Sequence, residues 1–245
     1  NDTHVFDYSG NGNNGTLDTI ENGVGPNLTG IFSGSASGGV WQFDGIDNNN
    51  ELYVPDLEIN YTAFSESVWF KTNSPGTNKF ISEFGEAVVS ISTVNRTVCN
   101  FLNVSGSSTF VSSNSEFDSS NTNGNWHHLV CVYNGTHVYQ YLDTLIQSDI
   151  ESLSGNLYTS VGLNGAIGSG DSAENAPFNG SIDEVAIFNR SLSVDEIQQL
   201  YMLGAEHFNL TTGSDGYTDD DVSIVEYVNT GGSKKYYGYY NVSAF

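Results

Sequence analysis

The sequence predicts an all-β domain of the sandwich or barrel kind, closed by one short helix and followed by a β-rich extension. Three observations predict it. Short runs of β-branched and aromatic residues recur between turn signals along most of the chain. Asn-Gly, the strongest two-residue turn signal, occurs at Asn11, Asn14, Asn22, Asn123, Asn134, Asn164 and Asn179. Helical punctuation follows the last of those runs, at Ser193 and Glu196.

Taken in order, "GGVWQFDG" alternates Val40, Gln42 and Asp44 against Trp41 and Phe43, then gives way to an Asn-rich turn and "ELYVP". In "FSESVWFKT", Phe64, Val68 and Phe70 are the strand anchors. "KFISEFG", "AVVSIST" and "TVCNFLNVS" continue the series, and "WHHLVCVYNGTHVYQYLD" is a hairpin turning at Asn134-Gly135. "YTSVGLNGAIGS" and "GSIDEVAIF" complete the set. No internal repeat of solenoid or propeller length is visible.

The stretch "FNGSIDEVAIFNRSLSVDEIQQLY" changes period midway. Ile182, Val185, Ile187 and Phe188 read as strand. Ser193 and Glu196 then form a capping box, Leu192 and Ile197 occupy the positions of a hydrophobic staple, and Asp195 favours the first turn. Gly204 is placed to end the helix. Ile197, Leu200 and Tyr201 share one face, so the helix should lie on a sheet.

At 245 residues the chain is long enough to bury a real core. Its only basic residues are Lys71, Lys79, Arg96, Arg190, Lys234 and Lys235, against 29 acidic ones, a formal charge of -23. Nucleic acid is excluded as a partner, because neutralising phosphates needs clustered cations. An anionic membrane surface is disfavoured for the same reason, and no apolar run has the length of a membrane span. The start at Asn1, without methionine or signal peptide, suggests a mature chain or an excised piece.

Asn-X-Ser/Thr occurs at Asn1, Asn14, Asn27, Asn60, Asn95, Asn103, Asn134, Asn179, Asn189, Asn209 and Asn241, which points to a secreted, glycosylated surface protein. The Asn179 sequon is equally a turn asparagine. Cys99 and Cys131, both in strand-like surroundings, predict one disulfide, with a pair of small buried hydrophobes as the alternative.

In order, "DYSGNGNNGTL", "WQFDGIDNNNELYVPDL", "FSESVWFKT", "GNWHHLVCVYNGTHVYQYLD", "VGLNGAIGS" and "FNGSIDEVAIFNRSLSVDEIQQLY" resemble the successive signatures of the laminin-G-like, concanavalin A-like jelly-roll family. The resemblance runs from about Val5 to Leu203. It implies two antiparallel sheets packed face to face, with the terminal strand near the middle of one sheet and close to the N-terminal strand. It also implies that the short helix covers an open end of the sandwich. One departure is Tyr141-Leu142-Asp143-Thr144, where the family has Tyr-Val-Asp-Gly; threonine disfavours positive φ, so the turn type is left open. The chain thus divides into a jelly-roll domain, residues 1–205, and an extension, residues 206–245.

Asp7, Ser9, Asn11 and Gly12 have the alternate spacing of a loop that folds oxygens around a hard cation, with Asp18 further on. The resemblance implies a calcium ion bridging this loop and the Ile-Asp-Glu-Val strand, held by Asp7, Asn11, Asn13, Asp183 and backbone carbonyls. Without the ion, Asp7 and Asn13 stabilise their own turn and Asp183 accepts backbone amides. A second oxygen-rich loop, Asp47, Asn49 and Glu51, lacks the glycine a calcium loop wants and reads as a solvated turn.

Catalysis is not expected. The Glu-X-Asp-X-X-Glu spacing of glycan-hydrolysing jelly rolls is missing, and Asp183 and Glu184 would face apart on a regular strand. His127 and His128 also face apart, one buried beside Trp126 and the other exposed. Two non-catalytic roles remain. One is a calcium-supported module binding glycans or glycoproteins, with an aromatic platform drawn from a chain whose Trp41, Trp69 and Trp126 are as readily core. The other is a structural subunit of a cell-surface filament, stalk or layer. The extension carries an acidic run, Asp219 to Asp221, then "VSIVEYV", a Thr230-Gly231-Gly232 turn and "KKYYGYYNV". It reads as a hairpin that docks on its own domain, begins another, or adds strands to a neighbouring subunit in a homo-oligomer.

Overall fold

The computed structural model describes residues 4–5, 7, 12–17, 41–45, 52–54, 62–72, 79–85, 87–92, 96–112, 124–147, 149–158, 165–170, 177–209, 223–230 and 233–241. In chain order the strands are β1 (His4–Val5), β2 (Gly15–Leu17), β3 (Trp41–Asp44), β4 (Leu52–Val54), β5 (Phe64–Lys71), β6 (Lys79–Phe84), β7 (Ala87–Ile91), β8 (Thr97–Leu102) and β9 (Ser108–Ser112). They continue with β10 (Trp126–Tyr133), β11 (His137–Leu142), β12 (Leu145–Ile146), β13 (Glu151–Ser152), β14 (Gly165–Ile167) and β15 (Asn179–Phe188), then α1 (Val194–Asn209), β16 (Ser223–Thr230) and β17 (Ser233–Asn241).

The chain divides into two units, Asn1–Tyr201 and Met202–Phe245. In the first, an eight-stranded sheet has the order β1-β2-β4-β14-β6-β7-β8-β9. A seven-stranded sheet has the order β12-β11-β10-β5-β15-β3, with β13 also on β11. All neighbours are antiparallel, so the unit is the all-β jelly-roll sandwich. β15 lies between β5 and β3, whereas β1 pairs with β2 in the other sheet. The second unit's strands, β16 and β17, form an antiparallel hairpin across residues 231–232.

The core lies between the sheets. Phe64, Val68 and Phe70 of β5 meet Ile81, Val89, Ile91 and Phe101 of the opposite sheet, with Leu129, Tyr133 and Ile182 beside them. Gly168, at φ 88, passes against the Phe43 ring where a Cβ would stand 2.0 Å from a ring carbon, so only glycine allows this packing.

The middle of the core is polar. Register sets Ile187, Glu66, Cys131 and Gln140 in one row across the seven-stranded sheet. Ser82, Val89, Cys99 and Val111 form the corresponding row opposite. Two ties join the rows: the Ser82 hydroxyl donates to Glu66 Oε1, and Cys99 is bonded to Cys131. The disulfide alternative is therefore the one realised. Gln140 Nε2 points to Cys99 Sγ at 3.5 Å. Glu66 is fully buried, and burial pushes its carboxyl up to about 8 against the opposing pull of Ser82. Glu66 Oε2 and Gln140 Oε1 have no hydrogen-bond partner among the described residues.

The helix does not cover an open end of the sandwich, as the resemblance implies. It lies on the outer face of the seven-stranded sheet, where Ile197, Leu200 and Leu192 pack on Val130, Val132, Tyr139, Tyr141 and Phe188. Trp69 stacks on Tyr201 with ring centroids 5.3 Å apart. β5 is consequently buried on both faces. The cap is the one the sequence predicts: Ser193 N donates to Glu196 Oε2 at 2.9 Å and Glu196 N to Ser193 Oγ at 3.4 Å. The Arg190 guanidinium, bidentate on Glu196 at 2.9 and 3.0 Å, and then the Ser193 amide pull the Glu196 carboxyl down to about 2. Ser65 Oγ donates to Arg190 O and accepts from Leu192 N, which fixes the strand-to-helix link. Gly204 does not end α1, which continues to Asn209. A lone glycine costs a helix only about 1 kcal/mol, which does not by itself end one.

Candidate functional site

With the helix on one outer face, the other outer face, that of the eight-stranded sheet, carries half-buried polar and aromatic side chains. Pairing places Thr16, Tyr53, Ala166, Glu83, Val88 and Asn100 in one continuous row across β2, β4, β14, β6, β7 and β8. Cross-strand partners point to the same side, and inward neighbours such as Phe84, Val89 and Phe101 belong to the core. Tyr53, Glu83, Val88 and Asn100 are half-buried. They span four strand spacings, roughly 19 Å from Tyr53 to Asn100.

A second row runs beside it: Phe80, Ser90, Val98 and Ser112. Phe80 and Glu83 converge on Gly170, where a Cβ would stand 2.4 Å from the Phe80 ring and 2.6 Å from Glu83 Oε2. The absent side chain lets a flat ring and a carboxylate lie together. The face therefore offers two aromatic surfaces, a carboxylate and a primary amide, the groups that recognise polyhydroxylated ligands. Sequence reasoning did not single out Tyr53, Phe80, Glu83 or Asn100. Strand alternation carries their parity, but which outer face the helix covers is decided by where α1 docks.

The other aromatics are placed by the same rule. Trp69 is buried beneath the helix, and Trp41 is half-buried against the core. Trp126 is half-buried with Lys71 Nζ 5.7 Å from its ring centroid.

Asp7 and Asn13 meet in the N-terminal loop. Asp7 Oδ2 accepts from Asn13 N at 2.9 Å, and Asp7 N donates to Asn14 Oδ1 at 2.9 Å. Asp183 lies in β15 opposite Trp69, and its Oδ1 accepts from Glu184 N at 2.9 Å. Asn11, Asp18 and the loop of Asp47, Asn49 and Glu51 lie outside the described residues. The strand is not regular at Asp183: register shifts between Asp183 and Ala186, and Glu184 has φ 48, so strict alternation does not apply to the Asp183-Glu184 pair. Among the described residues no three of His, Cys, Asp and Glu converge. Carboxylate, amide and carbonyl oxygens are the donor type that calcium takes.

His127 and His128 face apart, but both are buried, correcting the expectation of one exposed ring. His127 faces the core beside Phe70, and its Nδ1 is 2.8 Å from Asp143 Oδ2. His128 lies under the helix, stacked on Trp69, with Nε2 2.8 Å from Ser67 Oγ. Burial pushes its pKa down to about 4, opposed by Asp143. Asp143 also accepts from His128 N at 2.9 Å, while its own N donates to His128 O. These bonds hold the open turn in form: Asp143 and Thr144 stand at φ 50 and 69, a two-residue turn of type I′ sign with threonine in the second left-handed position.

The sequons separate by accessibility. Asn14, Asn134 and Asn189 are exposed, and Asn179 is half-buried. Asn209 and Asn241 lie in α1 and β17, whereas Asn1, Asn27, Asn60 and Asn95 lie outside the described residues. Asn103 is 5% exposed. Its Nδ2, the atom a glycan would occupy, donates to Ser154 O at 2.9 Å, and its Oδ1 accepts from Ser105 N and Ser107 N. Protein made in a glycosylating host should carry no glycan at Asn103 by peptide mass spectrometry. Asn103→Ala should cost about 1–3 kcal/mol in denaturant melts. A fully occupied Asn103 in folded protein would contradict this.

A two-sheet antiparallel sandwich with a helix docked on the outer face of one sheet is a jelly roll. The chain belongs to the concanavalin A-like lectin/glucanases superfamily, whose family model matches residues 44–198. No curated protein matches the sequence. Among solved structures, it resembles the binding domain of Paraclostridial Mosquitocidal Protein 1, at TM-score 0.62 and 15% identity, covering 96% of this chain and 63% of that one. It also resembles domain 4 of AbnA, a GH43 extracellular arabinanase from Geobacillus stearothermophilus in complex with arabinotriose, at TM-score 0.52 and 19% identity, covering 68% of this chain and 78% of that one. The botulinum neurotoxin serotype G binding domain matches at TM-score 0.63 and 13% identity, covering 91% of this chain and 53% of that one. The chain thus spans less than two thirds of the two toxin domains, and at these identities the likeness is one of fold.

Proposed function

We propose that this chain is a non-catalytic, extracellular carbohydrate-binding module that lays an oligosaccharide along the outer face of its eight-stranded sheet. The observation that carries this is the row Tyr53, Glu83 and Asn100, flanked by Phe80, on the face that α1 does not cover. A sugar presents C–H faces to aromatic rings and hydroxyls to planar polar groups, and this row supplies both. The arabinotriose-bound arabinanase domain and the toxin binding domains of like fold support a glycan or glycoprotein partner. The sequons and the disulfide support an extracellular setting.

Calcium belongs to the proposal as a structural ion, held by Asp7, Asn11, Asn13 and Asp183 with backbone carbonyls. When bound, it would neutralise carboxylate charge and tie the N-terminal loop to β15.

A second reading, a structural subunit of a surface assembly, is kept by one observation. In the second unit, β16 and β17 pair with each other, and a hairpin of two strands is marginal alone. A glycan array probed with calcium and with chelator decides between the two. The expected result is sugar binding weakened by chelation and abolished by Tyr53→Ala with Glu83→Ala. Silence on the array, with self-association that disappears when residues 206–245 are deleted, would select the second reading.

A further inference from the structure

We infer that the helix is an acid-released lid: protonation of His128 beneath it unseats α1 from the seven-stranded sheet while the sandwich stays folded. The inference does not depend on where a glycan binds.

The packing around His128 favours the neutral ring. His128 lies on the outer side of β10, 1% exposed. Its ring centroid is 5.1 Å from that of Trp69 and 5.9 Å from that of Tyr201, and Trp69 and Tyr201 are 5.3 Å apart, so the three rings form one cluster between sheet and helix. Nε2 is 2.8 Å from Ser67 Oγ, whereas Nδ1 is buried with no hydrogen-bond partner among the described residues. A protonated imidazole donates from both nitrogens, so the cation would leave a charged N–H unpaired among aromatic rings.

The ionisable groups nearby do not offset this. Asp143 favours the cation, but its Oδ1 is engaged by the His128 amide and its Oδ2 by His127 Nδ1. Tyr201 of α1 and Tyr141 of β11 carry phenols that burial pushes up, so both are neutral in acid. Asp183 stands on β15, beyond Trp69 of the intervening β5, and Lys71 lies over Trp126. In the first turn of α1, Asp195 is exposed and Glu196 is held by Arg190.

The cover that yields is the helix. β10 is hydrogen-bonded along its length to β5 and β11, whereas α1 rests on the sheet through side chains, chiefly Ile197, Leu200 and Tyr201. Ser65 Oγ pins Arg190 O and Leu192 N, which makes that link the hinge. The capping box does not fail first, because the Arg190-bound Glu196 stays ionised down to about pH 2. The sandwich does not follow, since the Glu66 contribution is complete below pH 4.5 and the disulfide ties the two sheets. An undocked ring regains its ordinary value of 6.5, against about 4 when covered. Docking is therefore at full strength above pH 6.5 and weakens about tenfold per pH unit as pH falls toward 4.

Hydrogen exchange of the full chain at pH 6.5 and at pH 4, corrected for the intrinsic pH dependence, tests this. A 16-residue helix is marginal once undocked, so the amides of Ile197 to Tyr201 should lose about a hundredfold of their protection. Those of β7 and β8 should keep theirs. In His128→Gln, neutral at every pH and able to bond Ser67, helix protection should not change with pH. In the wild type, NMR should show the His128 ring neutral wherever the helix is protected. Four results would overturn the inference: helix protection indifferent to pH in the wild type, an equal loss in His128→Gln, a loss shared by β7 and β8, or a protonated His128 ring beneath a protected helix.

Discussion

Replacing Cys99 and Cys131 together by alanine is expected to lower the unfolding free energy by about 3.7 kcal/mol. The bond closes a loop with sequence separation 32, and loop-closure entropy for that length gives a value of this size at room temperature. It joins β8 of one sheet to β10 of the other in the middle of the core, where both sulfurs are buried. The substitution also removes the sulfur to which Gln140 Nε2 points. Urea titration of wild type and variant would show the loss as a lower midpoint. An unchanged midpoint would mean that the two sheets hold together without their covalent tie.

The second large effect is on the pH dependence of stability. Glu66 sits at about 8 in the folded chain against 4.5 when free, so the folded protein keeps a proton that the unfolded chain has released. The stability it lends is complete below pH 4.5 and is lost as pH rises through 8, at up to about 1.4 kcal/mol per pH unit. His128 acts in the opposite sense. Its pKa of about 4 against 6.5 makes its contribution complete above pH 6.5 and lost as pH falls through 4.

Between pH 4.5 and 6.5 the two slopes oppose one another, which predicts a plateau, and between 6.5 and 8 Glu66 acts alone. Thermal melts should therefore show stability falling from pH 6.5 to 8, and Glu66→Gln should flatten that limb. The acid limb should respond to His128→Gln and not to the Glu66 substitution. Identical alkaline limbs in wild type and Glu66→Gln would place the proton elsewhere.

Glu66 also shows how a readable pattern can be overlooked. Phe64, Val68 and Phe70 anchor β5, and alternation puts Glu66 on the same inward side. Its charge argued against burial, and only the opposing Ser82 hydroxyl and neutralisation in the core make that position tenable. His128 illustrates the complementary case. Its parity put it on the outer face, but parity does not say whether a helix covers that face.

Local chemistry was legible wherever its partners are near in sequence. The Ser193–Glu196 cap, the Leu192–Ile197 staple, the Asn134 turn and the β16–β17 pairing all join residues a few positions apart or through one short turn. The Asp143-Thr144 turn was less so, because threonine is held at positive φ by an aspartate bonded to His127 and His128, far back along the chain. The candidate site was least legible. Tyr53, Glu83 and Asn100 come from three separate strands, and nothing local to any of them marks the others.

By itself the sequence determined a β-rich, acidic chain with one well-capped helix and a cysteine pair able to bridge, because periodicity, turn residues and charge are properties of neighbours. The tertiary structure decided which sheet face α1 covers and that a carboxylic acid sits at the centre of the core. Those outcomes depend on strand order and register between distant segments. A one-dimensional pattern leaves that order undetermined until the two sheets pack and desolvate their shared interior.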